Sequence, residues 1–141
     1  MLTNRHPVRV ELGDCDPTGI VYHPRYFVWI DTSVHALLRA GGIGFDRLLS
    51  EWGIDGLPLV ETRARFLAPC RWGDQLVVET AVAEVRRSAF DLRHRIFNGD
   101  VVAVEGLETR VWTVRRPGEE RIRSEPIPEA IVAILTGAAS A

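Results

Sequence analysis

Residues 13 to 24 read GDCDPTGIVYHP. Asp14 and Asp16 bracket Cys15, and His23 stands just ahead of Pro24. A carboxylate can attack an electrophilic carbon or take a proton from water. A thiol can also be a nucleophile, but Cys15 has a negative neighbour on each side, which opposes the thiolate. If a helix begins at Pro24, its first N–H groups lack internal partners and its dipole adds positive potential there. Such a terminus can hold negative charge developing on an oxygen. The plainer reading of Asp16 is a turn-shaping residue before Pro17. Asp14 is expected to be structural, accepting loop N–H groups and holding Asp16 in place. Gly19 lets the loop backbone come close to a bound molecule.

The flanking pattern says which elements carry this loop. VRVEL, residues 8 to 12, alternates as a half-buried strand does. Pro24 suits the first turn of a helix, and PRYFVWIDTSVHALLRA runs on to Ala40. Tyr26, Phe27, Ile30, Val34, Leu37, Leu38 and Gly41 share one stripe, with Trp29, Ala36 and Ala40 along its flank. A helix so apolar is expected to be buried on most sides, and Gly41-Gly42 ends it. GFDRLLSEWG predicts a shorter helix or a helical loop. Strand-like segments follow over 58–69, 75–87, 89–98 and 101–116, with turns at RWGD and NGD. IPEAIVAILTG, near the end, predicts a short helix or an edge segment. The order of one strand, one long helix and four meandering strands predicts an α+β fold, a curved antiparallel sheet wrapped around the helix. LVVETAVAEV and VVAVEGL would leave apolar patches on the other sheet face. A second copy is the expected cover, giving a dimer or a dimer of dimers.

Composition narrows the function classes. The chain of 141 residues suits one domain, 1–141, with a core over about 7–116 and a short C-terminal extension. It is 46% hydrophobic and 26% charged, with a net charge of -2. No general pull toward nucleic acid or anionic lipid is expected. The start MLTNRHPVRVELGD lacks the apolar run of a signal peptide, and no run is long enough to span a bilayer. A cytoplasmic protein with Cys15 and Cys70 as reduced thiols is expected. No Cys/His spacing suits a structural zinc, and no GxGxxG or Walker loop is present.

Other candidates lie outside the loop. Asp31 falls on the border of the apolar stripe, where an unpaired carboxylate would be costly. It could meet a polar group of a ligand or pair with a neighbouring strand. His35, one turn on, could join it as an acid–base dyad or a structural pair. Tyr22 and Trp29 could be core or the wall of an aromatic pocket. Arg86 and Arg87 could be solvated surface or, with their planar forks, phosphate ligands. RVWTVRR, residues 110 to 116, alternates between faces and is assigned no function.

This element order, with GDCDPTGIVYHPRYFVWID at its junction, resembles the hotdog-fold thioesterases, and among them the 4-hydroxybenzoyl-CoA thioesterase family. The shared pattern is G-D-C-D-P-x-G-I-V, two residues, Pro and an aromatic start to the helix, here Gly13 through Tyr26. It continues through RWGDQLVVET and VRRSAF, covering roughly residues 7 to 115. The resemblance implies a hotdog fold and hydrolysis of an aromatic acyl-CoA, with coenzyme A as part of the substrate and no metal or separate cofactor. It implies Asp16 as nucleophile or general base and the His23 backbone N–H as the group polarising the carbonyl. It assigns Asp31 to a polar group such as a phenol hydroxyl, and Arg86, Arg87 and Ser88 to the coenzyme A phosphates. Ser88 stands where the family tends to carry a third basic residue. VYH followed by a helix also resembles short-chain acyl-CoA thioesterases. An aliphatic acyl-CoA or acyl-carrier substrate is therefore the first alternative. A hotdog dehydratase using Asp31 and His35, or a non-catalytic acyl-CoA binding module, is the second.

Overall fold

The computed structural model describes residues 1–139. Five strands form one antiparallel sheet: β1 (Thr3–Arg9), β2 (Leu59–Phe66), β3 (Gln75–Val85), β4 (Ala89–Asn98) and β5 (Val101–Val111), in the order β1-β3-β4-β5-β2. The long helix α1 (Pro24–Ala40) packs across β1 and β3. It also reaches β5 at Gly106, where an added Cβ would stand 3.3 Å from Ile30 Cδ1. A short helix α2 (Phe45–Trp52), a two-residue pair β6 (Thr113–Val114) and β7 (Arg123–Ser124), and a last helix α3 (Glu129–Leu135) complete the described chain.

Most elements lie where periodicity places them, and three expectations need correction. The first strand occupies Thr3–Arg9 rather than 8 to 12. Pro7 is accommodated because β1 is an edge strand, where a missing N–H breaks no inner ladder. Val10 leaves the sheet and Leu12–Asp14 forms a 3-10 turn. The second correction is topological. The later strands are not a simple meander, because β2 pairs with β5 at the far edge. Leu67 and Ala68 both donate to Ala103 O, at 2.8 and 3.2 Å, so the chain follows β5 to its end before crossing to β3.

The third correction concerns the two faces. The apolar runs of β3 and β5 send Leu76, Val78, Val82, Ala103 and Val104 inward, under α1. A charged row crosses the outer face, beside the apolar row Val77, Phe97 and Val102. Arg5, Glu79, Arg95, Glu105 and Arg65 lie side by side across all five strands. Open apolar surface lies elsewhere, at Leu59, Val60 and Phe66 of the edge strand β2. Helix α1 is less enclosed than its composition suggests, since Val28, Asp31 and Thr32 face outward.

The interior is split in two. One apolar cluster gathers the second half of α1 with α2, α3 and Trp112. The other gathers Tyr26, Trp29 and Ile30 with Val10, Val21, Cys70 and Ile96. Polar side chains occupy inward positions of β3, β4 and β5 between them. Thr80 Oγ1 lies 2.9 Å from His94 Nδ1, and His94 Nε2 stands 3.4 Å from Glu108 Oε1. Arg110 Nε donates to the same Glu108 oxygen at 3.1 Å. Burial opposes the charge on Glu108, but His94 and Arg110 outweigh it and hold the carboxyl below its ordinary range. Its contribution to stability is therefore present above the ordinary carboxylate range and lost as pH falls through the lowered pKa.

Removing one partner of a buried charge pair leaves the other uncompensated. Glu108→Ala is expected to cost about 3–5 kcal/mol in urea denaturation. Glu105→Ala, on the same strand but facing solvent, is expected to cost less than about 0.5 kcal/mol. Equal losses would contradict the burial assigned to the seam.

Candidate active site

The GDCDPTGIVYHP segment folds into a narrow loop docked at both ends. Asp16 N–H donates to Ile20 O at 3.0 Å, and Gly19 N–H donates to Asp16 O at 2.9 Å. Gly19 sits at φ 86°, a left-handed conformation that a side chain would strain. Cys15 bridges Val21, and Tyr22 N–H donates to Asp14 O at 2.8 Å, closing the base of the loop. Val21 N–H reaches Cys70 O at 2.9 Å and Ile20 bridges Arg71. The crossover from β2 to β3 therefore holds the loop from below.

The two carboxylates have different surroundings. Asp14 is buried, and both of its oxygens are engaged. Oδ2 accepts Glu11 N–H at 2.8 Å, and Oδ1 accepts Arg25 Nε at 2.8 Å. This contact ties the 3-10 turn to the first turn of α1. Asp16 is half-buried. Its Oδ1 accepts Thr18 N–H at 2.8 Å and also the Thr18 hydroxyl. Its Oδ2 takes no protein donor among the described residues. One oxygen is thus held by the turn and the other is available to a ligand.

His23 is the N-cap of α1, and its side chain makes no capping hydrogen bond. Its backbone N–H has no protein acceptor among the described residues. Aromatic rings surround this terminus. The His23 ring lies 5.4 Å from Tyr22 and 6.2 Å from Phe66, centre to centre. Phe66 also meets Tyr26 at 5.6 Å and Phe27 at 6.4 Å. Tyr22 and Phe66 are about half exposed, at 51% and 49%. Burial pushes the Tyr26 phenol above its ordinary range, and it stays protonated. Trp29 lies in the core with its ring edge against Tyr26 at 5.5 Å, so it backs this wall instead of facing outward.

Asp31 projects from the open side of α1. Arg110 Nη2 donates to its Oδ1 at 2.8 Å, while Oδ2 stands 3.7 Å from His35 Nε2. The alternative of a pair with a neighbouring strand is thus realised, through β5. His35 also lies edge-on to Phe45, at 5.5 Å.

The basic pair after β3 divides by role. Arg86 gives both terminal nitrogens to Asp91, at 2.6 and 2.7 Å, and contacts Glu84 at 3.2 Å. That guanidinium holds the Asp91 carboxyl below its ordinary range and is already filled. Arg87 is exposed and pairs with no carboxylate among the described residues. Ser88 is half-buried, and its carbonyl accepts Trp112 N–H at 2.8 Å. Among the described residues no cluster of His, Cys, Asp or Glu is arranged to hold a metal ion. No helix there is long and apolar enough to cross a membrane.

Asp16 with an oxygen that takes no protein donor, the His23 N–H with no protein acceptor and the half-exposed Tyr22 ring thus stand on one short segment, and sequence comparison gives the family. The thioesterase-like superfamily matches residues 10–135. This chain belongs to that superfamily. The 4-hydroxybenzoyl-CoA thioesterase of Pseudomonas sp. (strain CBS-3) is 35% identical over 126 residues, 85% of this chain and 88% of the relative. Acyl-CoA thioester hydrolase YbgC of Escherichia coli O6:H1 is 26% identical over 129 residues, 92% of each chain. The crystal structure of a mutant 4-hydroxybenzoyl-CoA thioesterase complexed with 4-hydroxybenzoyl-CoA superposes with a TM-score of 0.87. It is 28% identical, and the match covers 96% of this chain and 99% of that one. The hotdog fold and the thioesterase class expected from the sequence are both met.

Three residues of this region do not stand out in the sequence pattern. Phe66 looks there like any strand residue, because its contact with the start of α1 depends on long-range pairing. Glu108 and Arg110 did carry a signal. They share the parity of Val104 and Gly106, so two charges fall on an inward face. Both oxygens of Asp14 are used, so Asp14→Ala is expected to cost about 1–3 kcal/mol in thermal or urea unfolding. Asp16→Ala should cost less, because its partners lie within one exposed turn. The reverse ranking would contradict these roles.

Proposed function

We propose that this thioesterase hydrolyses the thioester of an acyl-CoA whose acyl group is an aromatic ring bearing a hydroxyl, of the hydroxybenzoyl type. The reading rests on a distance along α1. Asp31 follows His23 by eight residues, about 12 Å along the helix axis, and helical side chains lean back toward the N-terminus. A para-hydroxylated ring carries a donor at the end opposite its thioester, on a length scale comparable with that separation. A short aliphatic chain would offer no donor to the Asp31 oxygen that Arg110 leaves open. The name of the Pseudomonas relative points the same way.

In this reading the thioester oxygen rests on the His23 N–H, where the helix terminus stabilises charge as the carbonyl becomes tetrahedral. The free Oδ2 of Asp16 either attacks the acyl carbon or takes a proton from the water that does. Attack displaces the coenzyme A thiolate and leaves a mixed anhydride, which water hydrolyses. The water route gives the acid and the thiolate directly. Both routes release a carboxylic acid and coenzyme A, with water as the only co-reactant and no cofactor. Gly19 keeps the loop narrow beside the acyl group. The half-exposed rings of Tyr22 and Phe66 line that group, with buried Tyr26 and Trp29 behind them. Arg87 is the free guanidinium for coenzyme A phosphate, and Arg86 and Ser88 shape the turn that presents it. The open edge of β2, beside exposed Tyr22 and Phe66, supports a dimer or a dimer of dimers joined along that edge. Two free thiols suit a reducing cytoplasm.

Thiol release from benzoyl-, 4-hydroxybenzoyl- and aliphatic acyl-CoA compounds tests the substrate. Hydroxybenzoyl preference is expected; equal or faster aliphatic turnover would replace the aromatic reading with the short-chain one. Asp16→Asn is expected to lose at least about 100-fold in turnover with unchanged folding. Activity that survives in Asp16→Asn and vanishes in His35→Ala would point to dehydratase-like chemistry. Binding without thiol release would point to a binding module.

A further inference from the structure

The seam between the two apolar clusters ends on Asp31. His94, Glu108 and Arg110 are 1%, 4% and 8% exposed, a depth at which charged side chains are rare. A buried ion pair is often no more stabilising than a hydrophobic pair of the same volume, because both groups lose their water. Stability alone is a weak reason for charges here, and the geometry supplies another.

Arg110 spends its guanidinium on three elements. Nε donates to Glu108 on its own strand at 3.1 Å. Nη1 donates to Leu57 O, ahead of β2, at 3.3 Å. Nη2 donates to Asp31 Oδ1 on α1 at 2.8 Å. Glu108 is in turn bounded by His94, whose other ring nitrogen meets Thr80. The fork therefore has little freedom to swing. Asp31 is 54% exposed at its side chain, yet one of its oxygens is fixed from below. Its other oxygen faces outward, toward His35 at 3.7 Å.

We propose that Arg110, held by Glu108, is a positioning residue that fixes Asp31 as a preorganised acceptor and so sets the preference for a hydroxylated acyl ring. This rests on the reading that Asp31 meets the acyl hydroxyl, and it adds what makes that contact selective. A carboxylate on a free side chain can turn to water and lose little when the hydroxyl is missing. A carboxylate held on one oxygen offers the other in a fixed direction. Sites built to hydrogen-bond a hydroxyl discriminate strongly against analogues that lack it. Arg110 needs no contact with substrate to do this.

The test compares kcat/KM for 4-hydroxybenzoyl-CoA and benzoyl-CoA in the unmodified enzyme, Asp31→Asn, Arg110→Lys and Glu108→Gln. Lysine keeps the charge but loses the fork. The ratio of the two substrates is expected to fall at least about tenfold in Arg110→Lys and at least about threefold in Glu108→Gln. A purely structural role would lower both substrates together and leave the ratio unchanged, which overturns the proposal. If Arg110→Lys fails to fold, the ratio in Glu108→Gln decides by the same criterion. Asp31→Asn separates the two layers. A collapsed ratio in Asp31→Asn beside an unchanged one in both seam variants sinks the positioning role alone. An unchanged ratio in Asp31→Asn removes the acyl-hydroxyl contact itself, and the positioning role with it.

Discussion

The seat of α1 on the sheet is the constraint on which the rest of the structure depends, and Arg110 gives that seat a direction. Apolar contacts hold the helix down but are non-directional, so they resist lifting more than rotation. The two clusters under α1 could tolerate a small turn about its axis. The donation from Arg110 to Asp31, with Ile30 pressed against the bare backbone of Gly106, makes such a turn costly. Helix depth and rotation fix where its first turn lies. The free N–H of His23 is therefore placed from two turns away, by contacts in the middle of the helix.

The loop before that turn is fixed by a separate set of contacts. Asp14 joins the 3-10 turn to Arg25, and the crossover at Cys70 and Arg71 supports Val21 and Ile20. Loop and helix thus meet under two independent restraints. This gives Asp14 and Asp16 different fates although one residue separates them. A carboxylate whose lone pairs are taken by a backbone N–H and a guanidinium is a structural tie. A carboxylate that closes an exposed turn with one oxygen keeps the other clear of protein donors. Residue type does not distinguish the two; the donors around each do.

Much of this was legible in the sequence. The Pro24–Ala40 helix, the NGD hairpin and the boundaries of β4 follow from local chemistry, namely apolar period, proline placement and turn residues. The distinctive loop pattern led to the superfamily. The position of β2 was not legible, because pairing with β5 is decided by the whole sheet and not by residues 59 to 66. The charge of the outer face was half legible. Alternation over residues 62–66 and 92–97 places arginines on one side, yet the apolar runs nearby point to a hydrophobic outer face. In VVAVEGL the run is continuous because a register shift beside Val104 buries Ala103 and Val104 together, while in LVVETAVAEV Val77 and Ala81 do lie on the outer side. Arg110 was treated as one member of a basic stretch, although its parity placed it inside.

The two faces of the sheet show why residue type is a poor guide to energetic weight. Glu79 and Arg95, across β3 and β4 on the outside, and Glu108 and Arg110, along β5 on the inside, are the same chemical pair. Outside, water already solvates both ions and salt screens them, so the pair adds little and orients little. Arg95 also lies over the Phe97 ring at 5.2 Å, and so does Arg5, which leaves the outer charges several comparable partners. Inside, no water competes, and each donor that lacked its acceptor would carry the full cost of desolvation. One pair can exchange partners without moving the backbone, while the other has a single low-energy arrangement. Only the inner pair can transmit a position from the sheet to a helix, and Asp31 is where that position reaches the surface.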